Sequence, residues 1–290
     1  MKQLAHFKAS VKSGDGEDGV IEEIFNRIGA RSRVCVEFGA LNGTHHSNTW
    51  NLINNKGWHA LLIEADRTYF EKLQTLYEHN PSVQCLNSFV SFEGENSLDA
   101  IFTRAALPRD FDLMSVDIDG NDYHVWESMQ EFKPRVVIIE FNPTIPNDIS
   151  FIQPRDMQVQ QGSSLRALAE LGKKKGYVLA SVIGSNAFFV SESDFVALHV
   201  EQESLEALNP DTTFYTRLFQ LYDGTLVLDG YKNLLWRRIP IDEAKLQVLP
   251  PRKRVFRSGI SADPFKRRLA YYVRRSPAYE LLKALRNLFR

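Results

Sequence analysis

Short, nearly continuous apolar runs alternate along the first two thirds of the chain with segments whose apolar positions recur at helical spacing. The runs are VCVEFGA (34–40), ALLIEAD (60–66), VQCLNSF (83–89), FDLMSVDID (111–119) and RVVIIEFN (135–142). Between them lie helical patterns such as RTYFEKLQTLYEHN and NDYHVWESMQEF, and a first helix is predicted over 20–29 from Val20, Ile21, Ile24, Phe25 and Ile28, with Gly29 as its stop. Strands that are apolar on both faces, separated by helices of 10 to 15 residues, predict a doubly wound, mostly parallel α/β sheet covered on both sides. After one more helix, strands at 177–183 and 187–190 joined through GSN predict an antiparallel hairpin at the sheet edge. This first domain is expected over 1–191, followed by an appended helical, lid or substrate region over 192–251 and a basic amphipathic helical tail over 252–290.

Composition narrows the class. With 290 residues, 43% hydrophobic and 24% charged, the chain has the profile of a globular protein with ample core, which excludes disordered and collagen-like classes. No run approaches the length of a membrane-spanning helix, and MKQLAHFKAS lacks the apolar centre of a signal peptide, so a cytoplasmic protein is expected. Cys35 and Cys85 sit in strand-like runs and offer neither a disulfide framework nor zinc-ligand spacing. The formal net charge of -1 conceals a division: from Arg252 onward there are twelve Lys/Arg and two acidic residues, a balance of +10, which leaves -11 for the first 251 residues.

In an open parallel sheet, ligands bind beyond the carboxyl ends of the strands, so the residues there carry the functional reading. The first run ends in Glu37-Phe38-Gly39-Ala40-Leu41-Asn42-Gly43, then Thr44, His45, His46 and Ser47. Its spacing is E-x-G-x-x-x-G and departs from the G-x-G-x-x-G of dinucleotide sites. The second ends in Ile63-Glu64-Ala65-Asp66; Glu64 stands where a carboxylate meets a ribose diol in doubly wound folds, and Asp66 suits a helix cap. The fourth ends in the densest acidic cluster, with Asp117 and Asp119 expected on one side of an extended strand. Two carboxylates that close call for a metal, a cation or a shared proton. An EF-hand is excluded, because loop position 12 is Ser128. The fifth ends in Glu140 and Asn142, again on one side, before Pro143.

In this order, the strand ends resemble the class I S-adenosylmethionine-dependent methyltransferases, and more closely the FkbM-like O-methyltransferases. The family's D-x-G-A-N-x-G-x-x-S is matched by EFGALNGTHHS, its I-E-P by Ile63-Glu64-Ala65, its K-I-D-V-E-G-x-E by Ser115 to Asp122, and its E-x-N strand end by IIEFN. The match runs over roughly 15–190. The resemblance implies a Rossmann-like fold in which Glu37, Gly39, Ala40 and Gly43 form the cofactor loop, Glu64 and Ala65 lie by the ribose, Asn87 and Ser88 by the adenine, and Asp117 by the methionine end. Two departures stand out: Ser115 replaces the family's Lys, and two family glutamates are shortened to Asp119 and Asp122. Loss of the Lys removes a positive charge from the acidic cluster, which favours compensation by a divalent ion.

The expected activity is methyl transfer from S-adenosylmethionine to a hydroxyl of a sugar, glycan or small metabolite. Asp119, His46 and His124 are the candidate proton acceptors. Asp117, Asp119, Glu140 and Asn142 are the candidate ligands of Mg2+ or another hard divalent cation. The competing reading is a Rossmann-like nucleotide-ligand-binding or assembly protein without catalysis. Within the tail, Leu269, Tyr272 and Val273 and then Leu281, Leu282, Leu285 and Leu288 recur at helical spacing among Lys and Arg, with Ser276-Pro277 opening a second helix. Residues 264–290 are thus expected to pack on the acidic body, to meet a protein partner, or to lie on an anionic membrane. Nucleic acid is not expected, since a body at -11 repels phosphate. The acceptor and the oligomeric state are left open.

Overall fold

The computed structural model describes residues 2–255, 269, 271–273 and 275–288. It divides into two compact units, 1–215 and 216–290. The first unit is built on a seven-stranded sheet in the order β3-β2-β1-β4-β5-β7-β6. The strands are β1 (Val34–Phe38), β2 (His59–Glu64), β3 (Val83–Asn87), β4 (Leu113–Val116), β5 (Val136–Glu140), β6 (Tyr177–Ile183) and β7 (Asn186–Ser191). Strands β1 to β5 pair in parallel, and β7 is antiparallel to both of its neighbours, so the α/β doubly wound sheet with an antiparallel edge hairpin is the fold observed.

The alternation of side chains along each strand divides the core into two layers. One layer takes Val36, Phe38, Leu61, Ile63, Met114, Val116, Val137 and Ile139 from the strands, packed with Phe102, Trp126 and Leu168 from the helices α4 (Leu98–Arg104), α5 (Asp122–Ser128) and α6 (Leu165–Lys174). The other takes Cys35, Leu62, Leu113, Val136 and Ile138, packed with Ile21, Ile24, Leu52 and Leu73 from α1 (Glu17–Ile28), α2 (Trp50–Lys56) and α3 (Arg67–Tyr77). Both faces of the sheet are therefore dry, which explains why the strands read as continuous apolar runs. Asp66 caps α3, its carboxylate accepting the N–H groups of Thr68 and Tyr69.

Three expectations are revised. Strand β4 ends at Val116, so Asp117 and Asp119 stand in the turn beyond it and Asp119 takes a left-handed conformation (φ 55°), instead of both lying on an extended strand. Residues 192–215 belong to the first unit. The following stretch is not mainly helical: it holds two two-stranded antiparallel pairs, β8 (Thr216–Gln220) with β9 (Leu226–Gly230) and β10 (Asn233–Leu234) with β11 (Ile239–Pro240). Near the C-terminus the helix Pro277–Leu288 forms as expected, and the Ser276 hydroxyl accepts the Tyr279 N–H at 3.3 Å. Residues 256–268, expected to carry the first part of the tail, lie outside the described residues.

Candidate functional site

Strand connections depart from the centre of this sheet in both directions: β1 passes outward to β2 and β3, whereas β4 passes to β5 and then to the β7-β6 pair. The crevice at the C-terminal ends of β1 and β4 is the topological switch point at which doubly wound folds bind ligands. The backbone there is tightly drawn. A Cβ on Gly39, whose φ is +75°, would lie 1.7 Å from the Asp117 carbonyl oxygen, so only glycine lets the β1 turn approach β4 this closely. Leu41 and His46 also take positive φ, of 47° and 53°. A bulky residue in that region is held there by its surroundings, and for Leu41 the holder is Glu64, whose Oε2 accepts the Leu41 N–H at 2.7 Å.

Two buried glutamates thus shape the loop after β1. Glu37 is fully engaged: Ser47 Oγ donates at 2.7 Å, Asn48 N at 2.7 Å and Thr49 Oγ1 at 2.6 Å, which fastens the approach to α2. Burial pushes its carboxyl up, against these three bonds. Glu64 accepts Leu41 N on one oxygen and Asp66 N, also at 2.7 Å, on the other, which leaves a lone pair on each oxygen. It stands in register with Asn87, whose amide donates to the Glu64 carbonyl at 2.7 Å and the Ala65 carbonyl at 3.1 Å. Ser88 donates its N–H to the same Glu64 carbonyl. Next to them Phe89 is 56% exposed, an aromatic face at a strand end that residue-type spacing does not single out. Ala40 is buried and Gly43 takes φ +77°, where a Cβ would press on Leu73 of α3.

On the other side of the crevice, Asp117, Asp119 and Glu140 bring one carboxylate oxygen each to within 4.8 Å of one another. The two aspartates are exposed and Glu140 is half-buried. Loss of surrounding water and the Asp119 charge raise the Asp117 carboxyl, even though one face of it stays open to solvent. Glu140 is raised further, first by burial and then by the charges of Asp117, Asp122 and Asp119, with a side-chain interaction with Asp117 acting in the same direction. His46 acts on Asp117 in the opposite direction, which puts that imidazole within electrostatic reach of the cluster. His46 itself is exposed and stacks on His45 at 4.0 Å.

The remaining candidates are structural in their contacts. His124 is buried, with Nε2 2.8 Å from the Gln153 carbonyl, which fixes that nitrogen as the donor. Asn142 has both ends of its amide occupied, Nδ2 donating to Gln161 O at 2.8 Å and Oδ1 accepting from Thr144 N and Oγ1, so it braces the loop after β5. Asp122 is buried and closes the 117–121 turn by accepting Ile118 N and Gly120 N, each at 2.9 Å. Gln153, absent from the sequence reading, holds the 153–162 loop together by accepting Gln161 N and Gly162 N and donating to Val159 O, and Asn121 ties that loop to the turn by donating to Asp156 O and Val159 O. The opposite ends of the strands give a contrast: there the buried Asp112 and Asp194 are paired with Arg135 at 2.7 and 2.9 Å. Among the described residues, the salt bridges include none to Asp117, Asp119 or Glu140.

No protein-family model and no curated protein sequence matches the chain. Solved structures align with it at low identity. Monomeric WbdD is 16% identical over 63% of this chain and 42% of its own, with a TM-score of 0.38. A SAM-dependent methyltransferase from Aquifex aeolicus is 12% identical over 64% of this chain and 94% of its own (TM-score 0.36), and precorrin-6y C5,15-methyltransferase from Geobacter metallireducens is 12% identical over 64% and 92% (TM-score 0.38). The chain spans less than half the length of WbdD.

Proposed function

We propose that the chain transfers a methyl group from S-adenosylmethionine to a hydroxyl oxygen of a sugar or small metabolite. The observation that carries this reading is the placement of Glu64 beside Asn87 at the ends of β2 and β3, with the strained Leu41 tied to Glu64. One unused lone pair on each Glu64 oxygen fits a vicinal diol, and the half-buried Asn87 and Ser88 with the exposed Phe89 form a border suited to a flat heterocycle. The turn at Gly39 and Ala40 brings backbone, not side chain, to the crevice, and the carbonyl of Asp117, in the turn just beyond β4, lies against Gly39.

When bound, the cofactor supplies an electrophilic methyl group on a positively charged sulfonium. The acidic crevice favours that charge. The protein's own task is alignment of the acceptor oxygen and removal of its proton. His46 and Asp119 are both exposed beside Asp117 and serve as proton acceptors in this reading, whereas His124 positions the 153–162 loop through Gln153. Asp117, Asp119 and Glu140 also fit a hard divalent cation, which would offset their mutual repulsion and supply polarisation of the acceptor hydroxyl.

Calorimetric titration with S-adenosylmethionine is the test. Saturable heat in the micromolar range is expected, with Asp117→Ala weakening it by about tenfold or more; no heat at near-millimolar cofactor overturns the reading. Binding followed by transfer to none of a panel of hydroxyl acceptors, followed with labelled cofactor, would instead support a ligand-binding protein.

A further inference from the structure

The C-terminal helix Pro277–Leu288 sets an apolar pair on one side and a cation on the other. Leu281 and Leu285, one turn apart, are 65% and 45% exposed, and Lys283, on the opposite side of the helix, is exposed as well. Just before it, Tyr271, Tyr272 and Val273 are all exposed, Tyr272 to 68%, and the Arg275 guanidinium lies 4.8 Å from the centre of the Tyr271 ring. Exposed leucines and tyrosines in such density normally find a cover. The charge of the segment decides which: from Arg252 onward the sequence carries twelve Lys/Arg against two acidic residues. Leucines that enter the acyl boundary, tyrosines at headgroup level and interleaved Lys/Arg against anionic headgroups are the chemistry of a helix lying in a bilayer interface. Among the described residues no helix is long and apolar enough to cross a membrane, so the contact would lie along the surface.

We propose that residues 271–273 and 275–288 dock the protein on the surface of an anionic lipid bilayer, with Leu281 and Leu285 inserted and Arg275 against the headgroups. The apolar positions anchor and the cations select, so binding depends on both together. This reading is independent of the methyl-transfer reading.

The full-length chain is sedimented with vesicles of phosphatidylcholine alone and of phosphatidylcholine mixed with phosphatidylserine. It is expected in the pellet only with the anionic vesicles, and in the supernatant once salt reaches roughly 0.5 M, where surface charges are screened within a few ångströms. The double variant Leu281→Glu, Leu285→Glu is expected to lose the bound fraction by about tenfold or more with an unchanged melting temperature. A chain that stays in the supernatant with anionic vesicles, pellets equally with neutral ones, or binds undiminished when both leucines are glutamate overturns the proposal. The two vesicle compositions and the salt arm decide it on the unmodified protein, whatever the folding of the variant. Recovery of the tail with a protein or nucleic acid in place of the anionic vesicles counts against it equally.

Discussion

Glu37 and Glu64 are both buried at the C-terminal end of the sheet and read alike in the sequence, yet their partners separate them. Glu37 holds three donors of residues 47–49, so Glu37→Ala is expected to cost roughly 2–4 kcal/mol of stability, read from denaturant unfolding. Glu64→Ala is expected to weaken S-adenosylmethionine by about 10- to 100-fold in calorimetry, and equal affinity in the variant would move the ribose away from β2. Asp122 makes a pH prediction. Burial and the Asp117 charge push its carboxyl from 3.8 up to about 7. Between those values the folded chain binds more protons than the unfolded one, so stability falls as pH rises through that window, by up to about 4 kcal/mol from this group. Melting temperatures in EDTA at pH 5 and pH 8 should therefore drop with pH in the parent and drop less in Asp122→Asn; identical slopes would contradict the assignment. At this scale the position of Glu64 and Glu140 as the last residues of their strands was legible, because an acidic residue closes each apolar run. Gln153 was not, since a hub inside an irregular loop has no period to betray it, nor was the part the Asn142 amide plays in holding the loop after β5.

At the scale of elements, two glycines separate conformational freedom from close approach. Gly57 follows α2 with φ +68° and has open space where a Cβ would sit, so Gly57→Ala is expected to cost about 1 kcal/mol. Gly39 has a similar φ, but its Cβ would meet the Asp117 carbonyl, so Gly39→Ala is expected to cost more than about 3 kcal/mol and to abolish cofactor heat, because β1 and β4 must separate. Comparable melting temperatures for the two variants would refute the close approach. The period of the apolar runs made β1, β2, β3 and β5 readable to within a few residues, and the GSN link made the β6-β7 hairpin readable. The end of β4 was not: VDID alternates like a strand, but Asp122 captures Ile118 N and Gly120 N and turns the chain after Val116. Local hydrogen bonding by a side chain overrode the pattern.

For the whole molecule, both core layers draw only on residues up to 208, within the unit 1–215. A chain ending at residue 215 is expected to melt in one cooperative transition and to keep its cofactor affinity; a broad, non-cooperative melt would show that 216–290 is needed for folding. The division of charge falls along the same lines, since the acidic residues of the switch point lie in the first unit and the basic run in the second. The contact between Gly39 and the Asp117 carbonyl also has a temporal side. Strand β1 pairs with β2 across a short stretch of chain, but its pairing with β4 joins Cys35 to Leu113 and closes a longer loop, at a larger entropic cost. The crevice is complete only when that pairing is made. Under the proposed function, recovery of S-adenosylmethionine affinity during refolding is therefore expected to report the formation of this long-range contact.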